Sequence, residues 1–320
     1  MSDIPGHITI TEEGPREGFQ IEPGPIPPAQ KIALIEALAE TGLREIQVVS
    51  FVNPKRVPGM ADADQVVAGL TAHDGVAYTA LWLNDQGFLR AAATGKLDLR
   101  ATLSLSASAG FIQRNQNRTP AEALAAQHAS LELYRAHRVP IEQGFISAAF
   151  GCNFDGDIPV ERVVRITDDL LALAGDHGVT LPRINLADTM AWATPGSVRR
   201  VVGAVRERHP DLEIALHLHD TRGLGLANAY AGLEMGVRHF DAAIGGLGGC
   251  PFAEHQGAAG NVCTEDLAFM CEEMGIDTGL DLDRLIAAAR LAEQIVGHPL
   301  PGAVKQGGSL KRLRQARAAG

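Results

Sequence analysis

Eight short β-like runs, each followed by a segment with helical spacing of apolar residues, predict an α/β chain folded as a (β/α)8 TIM barrel with additional C-terminal helix. The chain has 320 residues, a length that such barrels fill as one domain. The rival for this alternation, an open doubly wound sheet, carries phosphate-binding glycines after its first strand. Here the first run leads into EEGPREGFQ, with no G-x-G-x-x-G.

The runs are HITIT (7–11), REIQVVSFV (44–52), VAYTALWL (76–83), LRATLSLSA (99–107), IEQGFISAAF (141–150), RINLAD (183–188), EIALHLHD (213–220) and HFDAAIGG (239–246). Between them lie helical patterns such as AQKIALIEALAETG, with Ile32, Leu34, Ile35 and Leu38 on one face and Gly42 as the stop. In PVERVVRITDDLLALAGDHG, Pro159 suits a first helical position and Gly178 the exit. Beyond Ile244 the periodicity is helical, in TEDLAFMCEEMG and LDRLIAAARLAEQIVG. Residues 1–302 therefore read as one catalytic barrel with a helical extension, and 303–320 as a basic, mobile tail.

Charge and composition exclude several function classes. Twenty-eight Lys and Arg stand against 38 Asp and Glu, a net charge of −10, and the only basic run is KRLRQAR at 311–317. No positive field exists to release counterions from a nucleic-acid backbone or to hold an anionic membrane. Aromatic residues make up 5% of the chain, too few for a base-stacking surface. The N-terminus MSDIPGHITI does not read as a leader, and no apolar stretch reaches membrane-spanning length. Cys152, Cys250, Cys263 and Cys271 form no C-x-x-C pair, which fits a reducing cytoplasm.

Catalytic groups of a barrel gather at the C-terminal ends of its strands. Polar residues cluster there: Glu12, Arg16, Glu17 and Gln20 after the first run, Gln47, Ser50 and Asn53 on and after the second, Asp188 after the sixth, His217, His219 and Asp220 on the seventh, and Cys250 and Asn261 after the eighth. Strand alternation puts His217 and His219 on one face with Cβ atoms roughly 7 Å apart. Both reach one divalent metal. A bare H-x-H is equally a pair of hydrogen-bonded core histidines; Glu17 and Asn261 at neighbouring strand ends tip the reading towards a metal. Two nitrogens with carboxylate and amide oxygens suit Mg²⁺, Mn²⁺, Co²⁺ or Zn²⁺, and the absence of thiolates argues against a structural zinc.

Arg16 follows a Gly-Pro turn beside Glu17. Its functional reading is a fixed cation aimed at an oxygen where negative charge develops; its plainer reading is a surface partner of Glu12, Glu13 or Glu17. Cys250 sits in the glycine-rich GGLGGCPF, where an acid/base thiol is the better reading, while the other three cysteines read as buried and inert. Arg114, Asn115, Asn117 and Arg118 after the fourth run offer contacts to phosphate oxygens, or form a solvated loop.

The motifs EEGPREGFQ, SFVNPKRVPGMAD, FGCNFDGD, LADTMAWATPG, HLHDTRGLGLAN and GGLGGCPF followed by AAGNVCTEDL together resemble those of the 3-hydroxy-3-methylglutaryl-CoA lyases, from about residue 8 to residue 302. These belong to a wider group of barrel metalloenzymes that make or break carbon–carbon bonds beside a carbonyl, isopropylmalate synthases among them. The resemblance implies metal ligation by Glu17, His217, His219 and Asn261, with Mg²⁺ or Mn²⁺ ahead of Co²⁺ or Zn²⁺. It implies that the substrate's 3-hydroxyl loses its proton, the C2–C3 bond breaks, and Arg16 stabilises the acetyl-CoA enolate while Cys250 protonates it. Asp188, Glu12 and Gln20 match residues around the family's site and the loop with Asn115 a region near the CoA moiety; Asp188 and Glu12 are accordingly expected to be catalytic, and Gln20, Gln47, Ser50 and Asn115 to contact substrate or CoA. The resemblance further implies an acyl-CoA ligand and a homodimer.

Three departures bear on the substrate. Glu17 stands where the family has Asp, Gln47 where it has Glu, and the stretch from Cys250 to Asn261 is longer, with Glu254, His255 and Gln256. The extra methylene of Glu17 moves its carboxylate by about 1.5 Å, and Gln47 removes a negative charge. Both changes suit a carboxylate closer to the metal, as in citramalyl-CoA, which would release a 2-oxo acid. A reading of another class is a barrel that binds a CoA ester without catalysis; the joint retention of Arg16, both histidines, Asn261 and Cys250 argues against it.

Overall fold

Eight parallel strands lie where the runs predict them: β1 (Thr9–Glu12), β2 (Glu45–Phe51), β3 (Ala77–Trp82), β4 (Ala101–Ser106), β5 (Ile141–Ser147), β6 (Arg183–Ala187), β7 (Glu213–His217) and β8 (His239–Ala242). They form one curled sheet in the order β3-β2-β1-β8-β7-β6-β5-β4, so the first and last strands of the chain pair with each other, Thr9 opposite His239 through Glu12 opposite Ala242. The computed structural model describes residues 4–249 and 260–318.

The expected closed barrel is corrected at one seam. β3 and β4 form the two ends of the strand order and share no strand ladder. Below the seam Asp98, on the approach to β4, bridges to β3: its N donates to Tyr78 O (2.8 Å) and its carboxylate accepts from Tyr78 N (3.2 Å). Above it, side chains take over: Trp82 Nε1 donates to Tyr134 Oη (2.9 Å), and both rings pack edgewise or tilted on Phe88. Thr79 to Trp82 on one side and Ala101, Thr102 and Ser104 on the other face a central cavity across this seam.

Helices cover the outside of the sheet. Two follow β1, α1 (Gly14–Ile21) and α2 (Pro28–Ala39); then come α3 (Ala63–Gly69), α4 (Asp85–Ala93), α5 (Ala109–Gln116), α6 (Pro120–Ala136), α7 (Val160–Asp176), α8 (Pro195–Arg208) and α9 (Gly225–Glu234). Reciprocal capping by Thr119 with Glu122 and by Thr194 with Ser197 starts α6 and α8, each with proline in the first turn. Leu34, Ile35 and Leu38 of α2 are buried, as their spacing predicts, within a core continuous with Ile46, Val48 and Val49 of β2.

After β8 come α10 (Thr264–Glu273), α11 (Leu282–Val296), α12 (Val304–Gly307) and α13 (Leu310–Ala318). The last two occupy the segment expected as a mobile tail. The Asp266 carboxylate accepts from Ala303 N (2.9 Å) and Val304 N (2.7 Å) at the start of α12, the Lys305 ammonium meets Glu293 (2.5 Å), and Arg314 makes a bidentate pair with Glu273 (2.8 and 2.7 Å). Acid partners supplied by α10 and α11 turn a basic stretch into helix, which the tail's own composition does not reveal. Among the described residues, no helix is long and apolar enough to cross a membrane.

Candidate active site

The carboxyl ends of the strands open on a cavity of about 320 Å³. Its wall includes Arg16, Glu17 and Gln20 from α1, Gln47 from β2, Asn115 from α5, and His217 and His219. α1 is placed by the end of β1. Gly14 N donates to Glu12 Oε1 (2.7 Å), and a Cβ on Gly14 would lie 2.6 Å from that same oxygen, so this turn requires glycine. A buried lysine fixes the other flank: Lys31 Nζ donates to Gly59 O (2.6 Å) and to Asp62, holding the turn at Pro58–Met60. Gly59 of that turn packs directly on Phe19 of α1.

His217 ends β7 and His219 lies just beyond it, bridged to Asn261 by backbone pairing. Alternation brings the two Nε2 atoms to 3.1 Å from each other. Glu17 Oε1 is 3.8 Å from His217 Nε2, and Glu17 Oε2 accepts from Asn261 Nδ2. That bond turns the other end of the amide, Asn261 Oδ1, into a buried oxygen without a hydrogen-bond partner. An orphaned buried carbonyl costs about 1–3 kcal/mol unless something answers it. Two converging imidazole nitrogens, a carboxylate and this oxygen form a donor set that fits a divalent cation, and ligand atoms of Glu17, His217 and His219 all lie within 4.8 Å of one another. Gly248 leaves the room: a Cβ there would sit 3.3 Å from both Asn261 Oδ1 and Glu17 Oε2.

A second group of potential ligands, Glu13, His217 and Asp241, faces the other nitrogen of the same imidazole. It is a poorer cation site. It offers one imidazole nitrogen where the first group offers two, and Asp241 Oδ2 already accepts from Asn185 Nδ2 (2.7 Å).

Electrostatics follow from burial and neighbours. Burial opposes charge on Glu17, yet Arg16, His217 and His219 outweigh it and hold the carboxyl down at about 2. For His217 burial again opposes charge, and Glu17, Asp241 and Glu13 overcome it, keeping the imidazole well above its ordinary range. Burial and the neighbouring His217 push His219 down to about 4. Arg16 is buried, with Nη2 on Glu13 (2.8 Å), Nη1 on Glu17 (3.0 Å) and Nε donating to Gln47 Oε1.

The structure therefore gathers Arg16, Glu17, Gln20, Gln47, Asn115, His217, His219 and Asn261 in or against one cavity. Ser50 lies behind the wall, its hydroxyl donating to Gln20 Oε1 (3.1 Å). Asp188 is buried beside the end of β7, where the His217 carbonyl accepts from Asp188 N (2.8 Å). Its Oδ1 takes Trp192 N and Ala193 N, its Oδ2 has no partner, and burial pushes its carboxyl up to about 7. Glu12 is not brought to the cavity. Its fully buried carboxylate accepts from Gly14 N (2.7 Å), Ile244 N (2.8 Å) and Thr264 Oγ1 (2.6 Å), tying β1 to the loop after β8. Cys250 lies outside the described residues; Cys152, Cys263 and Cys271 are buried.

Sequence reasoning missed Glu13 as a site residue, and missed Asp241 altogether. Both line the cavity. The signal was strand parity: Thr11 and Glu13 share the inward face opposite Ile10 and Glu12, and His239 and Asp241 share it opposite Phe240 and Ala242.

A curled sheet of eight parallel strands with such a cluster at its carboxyl ends defines an α/β enzyme whose site suits a divalent metal. The family model described as HMGL-like matches residues 7–292. Hydroxymethylglutaryl-CoA lyase YngG of Bacillus subtilis is 39% identical over 93% of this chain and 96% of its own length. (R)-citramalyl-CoA lyase of Chloroflexus aurantiacus is 40% identical, covering 94% and 95%. An HMG-CoA lyase from Acinetobacter baumannii, solved in complex with coenzyme A and 3-methylmalate, superimposes with a TM-score of 0.85 at 39% identity over 95% of this chain and 96% of that one. The chain belongs to the HMGL-like family and is a carbon–carbon lyase of the HMG-CoA-lyase type.

Proposed function

We propose that the chain is a divalent-metal-dependent lyase that cleaves a 3-hydroxy carboxyacyl-CoA, of the 3-hydroxy-3-methylglutaryl-CoA kind, into an acyl-CoA such as acetyl-CoA and an oxo acid. The observation that carries this reading is the convergence of His217 Nε2, His219 Nε2, Glu17 and the unpartnered Asn261 Oδ1 beside Arg16 at one cavity. Recognition of a CoA ester is supported by the relative solved with coenzyme A and by Asn115 on the cavity wall. Glu17, His217, His219 and Asn261 would hold the ion, Mg²⁺ or Mn²⁺ ahead of Co²⁺ or Zn²⁺, which when bound supplies Lewis-acid polarisation of the substrate's hydroxyl.

The chain's own groups do the rest. Arg16 is placed by Glu13, Glu17 and Gln47 to hold the thioester oxygen on which negative charge collects as the C2–C3 bond breaks. Asp188, raised by burial to about 7, can exchange a proton near neutral pH. Cys250 returns a proton to the enolate carbon, an assignment that rests on the motif GGLGGCPF. Gln20 and Gln47 orient the substrate, Ser50 holds Gln20, and Glu12 acts through the β1 and β8 ends that carry the site.

Glu17 and Gln47 favour a second substrate, citramalyl-CoA. Gln47 meets Arg16 with a neutral amide, and the longer Glu17 alters the space beside the ion, which suits a carboxylate on the hydroxyl-bearing carbon itself. Incubating the protein with each ester and Mg²⁺ or Mn²⁺, with products read by mass, decides between them: acetoacetate with acetyl-CoA marks the first reading, pyruvate with acetyl-CoA the second. Binding of both esters without cleavage of either would leave a non-catalytic barrel and sink the proposal.

A further inference from the structure

We propose that Glu13 is a positioning residue that joins the two halves of the site, aiming the Arg16 guanidinium and the His217 imidazole with a single carboxylate oxygen. Glu13 is buried on the cavity wall, and its Oε2 lies 2.8 Å from Arg16 Nη2 and 3.3 Å from His217 Nδ1. Its main chain is fixed on both sides. Glu13 N donates to Ala242 O of β8 (2.8 Å), and Glu13 O accepts from Glu17 N (2.8 Å), so the residue also caps the helix that carries Arg16 and Glu17.

The bridge has a chemical consequence on each side. With Nδ1 directed towards Glu13 and Asp241, the other ring nitrogen, Nε2, is turned to His219 Nε2 and Glu17, the side on which a cation would be held. Arg16 is gripped at three nitrogens, by Glu13 at Nη2, by Glu17 at Nη1 and by Gln47 at Nε. Position 47 reaches Arg16, whereas position 13 reaches Arg16 and His217. The two roles of Glu13 can therefore be separated by moving the charge.

The test compares wild type, E13Q and E13Q/Q47E for kcat, KM and the Mn²⁺ dissociation constant, the last by calorimetry without substrate. For E13Q we expect kcat to fall and Mn²⁺ binding to weaken, each by about 10–100-fold, the range for partners that orient metal ligands, with KM within a few-fold. In E13Q/Q47E the carboxylate returns to Arg16 from the other side, so kcat recovers at least about tenfold while Mn²⁺ binding stays weak. The idea is overturned if E13Q stays within about twofold of wild type in both kcat and Mn²⁺ affinity, or if Q47E brings no recovery of kcat. Should E13Q not fold, as judged by its melting curve, E13D keeps the charge and shortens the reach: weakened Mn²⁺ binding supports the bridge, and wild-type binding with wild-type kcat overturns it. The kcat arm rests on the lyase reading. The Mn²⁺ arm does not, so a wild-type protein that cleaves no ester would refute that reading and leave Glu13 to be decided by binding alone.

Discussion

Removing the guanidinium by Arg16→Met separates chemistry from metal binding more sharply than any other single change. Arg16 stands 3.0 Å from Glu17 and 2.8 Å from Glu13, buried at the cavity wall. At an effective dielectric of about 20, each such contact has a gross Coulomb energy of roughly 4–6 kcal/mol. Methionine fills much of the same volume but leaves two carboxylates facing each other, so the variant should lose about 3–5 kcal/mol of stability, the usual cost of stripping one member from a buried ion pair. One fixed donor at a developing oxyanion contributes about 10²–10³ in kcat. Loss of a full cation from that position should cost at least about 10³ in kcat. Mn²⁺ affinity should hold or tighten, because Glu17 is released from a competing cation. Acetyl-CoA release followed by mass, with Mn²⁺ binding by calorimetry on the same preparation, reads both. A kcat within tenfold of wild type, or Mn²⁺ binding lost together with turnover, would refute the assignment of Arg16 to the developing charge.

Other outcomes follow from the same geometry. His219→Ala removes one of two nitrogens that meet at 3.1 Å, and Mn²⁺ binding should weaken by more than roughly 100-fold, beyond the effect of outer partners; unchanged binding would show that the imidazole is not a ligand. Gly248→Ala places a methyl 3.1 Å from Glu17 Cβ and 3.3 Å from Asn261 Oδ1 at a φ of +97°, and should impair Mn²⁺ binding even though position 248 offers no ligand atom; wild-type affinity would argue against Asn261 Oδ1 as a donor. Burial pushes the Glu12 carboxyl from 4.5 to about 8 and Glu265 to about 7. Between those values and 4.5 the folded chain keeps protons that the unfolded chain has released. Stability should therefore be highest below about pH 5 and decline by a few kcal/mol as the pH rises to about 8. Melting curves across that range check the sign; a Tm that climbs would mean that the three donors around Glu12 keep it ionised.

Much of this was legible in the residues themselves. Seven of the eight strands fall within the β-like runs, and β1 passes the end of its own by one residue, Glu12, because each run is short, rich in β-formers and followed by a helical period, a local signal. His217 and His219 were legible because alternation is a two-residue rule. The seam between β3 and β4 was not: whether the two ends of a curled sheet meet depends on strand tilt and on packing among Trp82, Phe88 and Tyr134, residues up to 52 positions apart. Glu13 escaped because it stands next to another acid, and only the register of β1 against β8 decides that Glu12 turns into the core while Glu13 faces the cavity. Helices α12 and α13 were hidden by a basic composition whose acid partners lie on α10 and α11, far back in the sequence.

Whether one divalent ion at Glu17, His217, His219 and Asn261 enables carbon–carbon cleavage of a hydroxyacyl-CoA is decided by stripping the protein of metal and titrating Mn²⁺ back while acetyl-CoA formation is recorded from 3-hydroxy-3-methylglutaryl-CoA and from citramalyl-CoA. Turnover of at least one ester should be absent without metal and rise to a plateau at one equivalent of Mn²⁺ per chain. Cleavage that is indifferent to Mn²⁺, or no cleavage of either ester with the ion bound, would contradict that role of the ion.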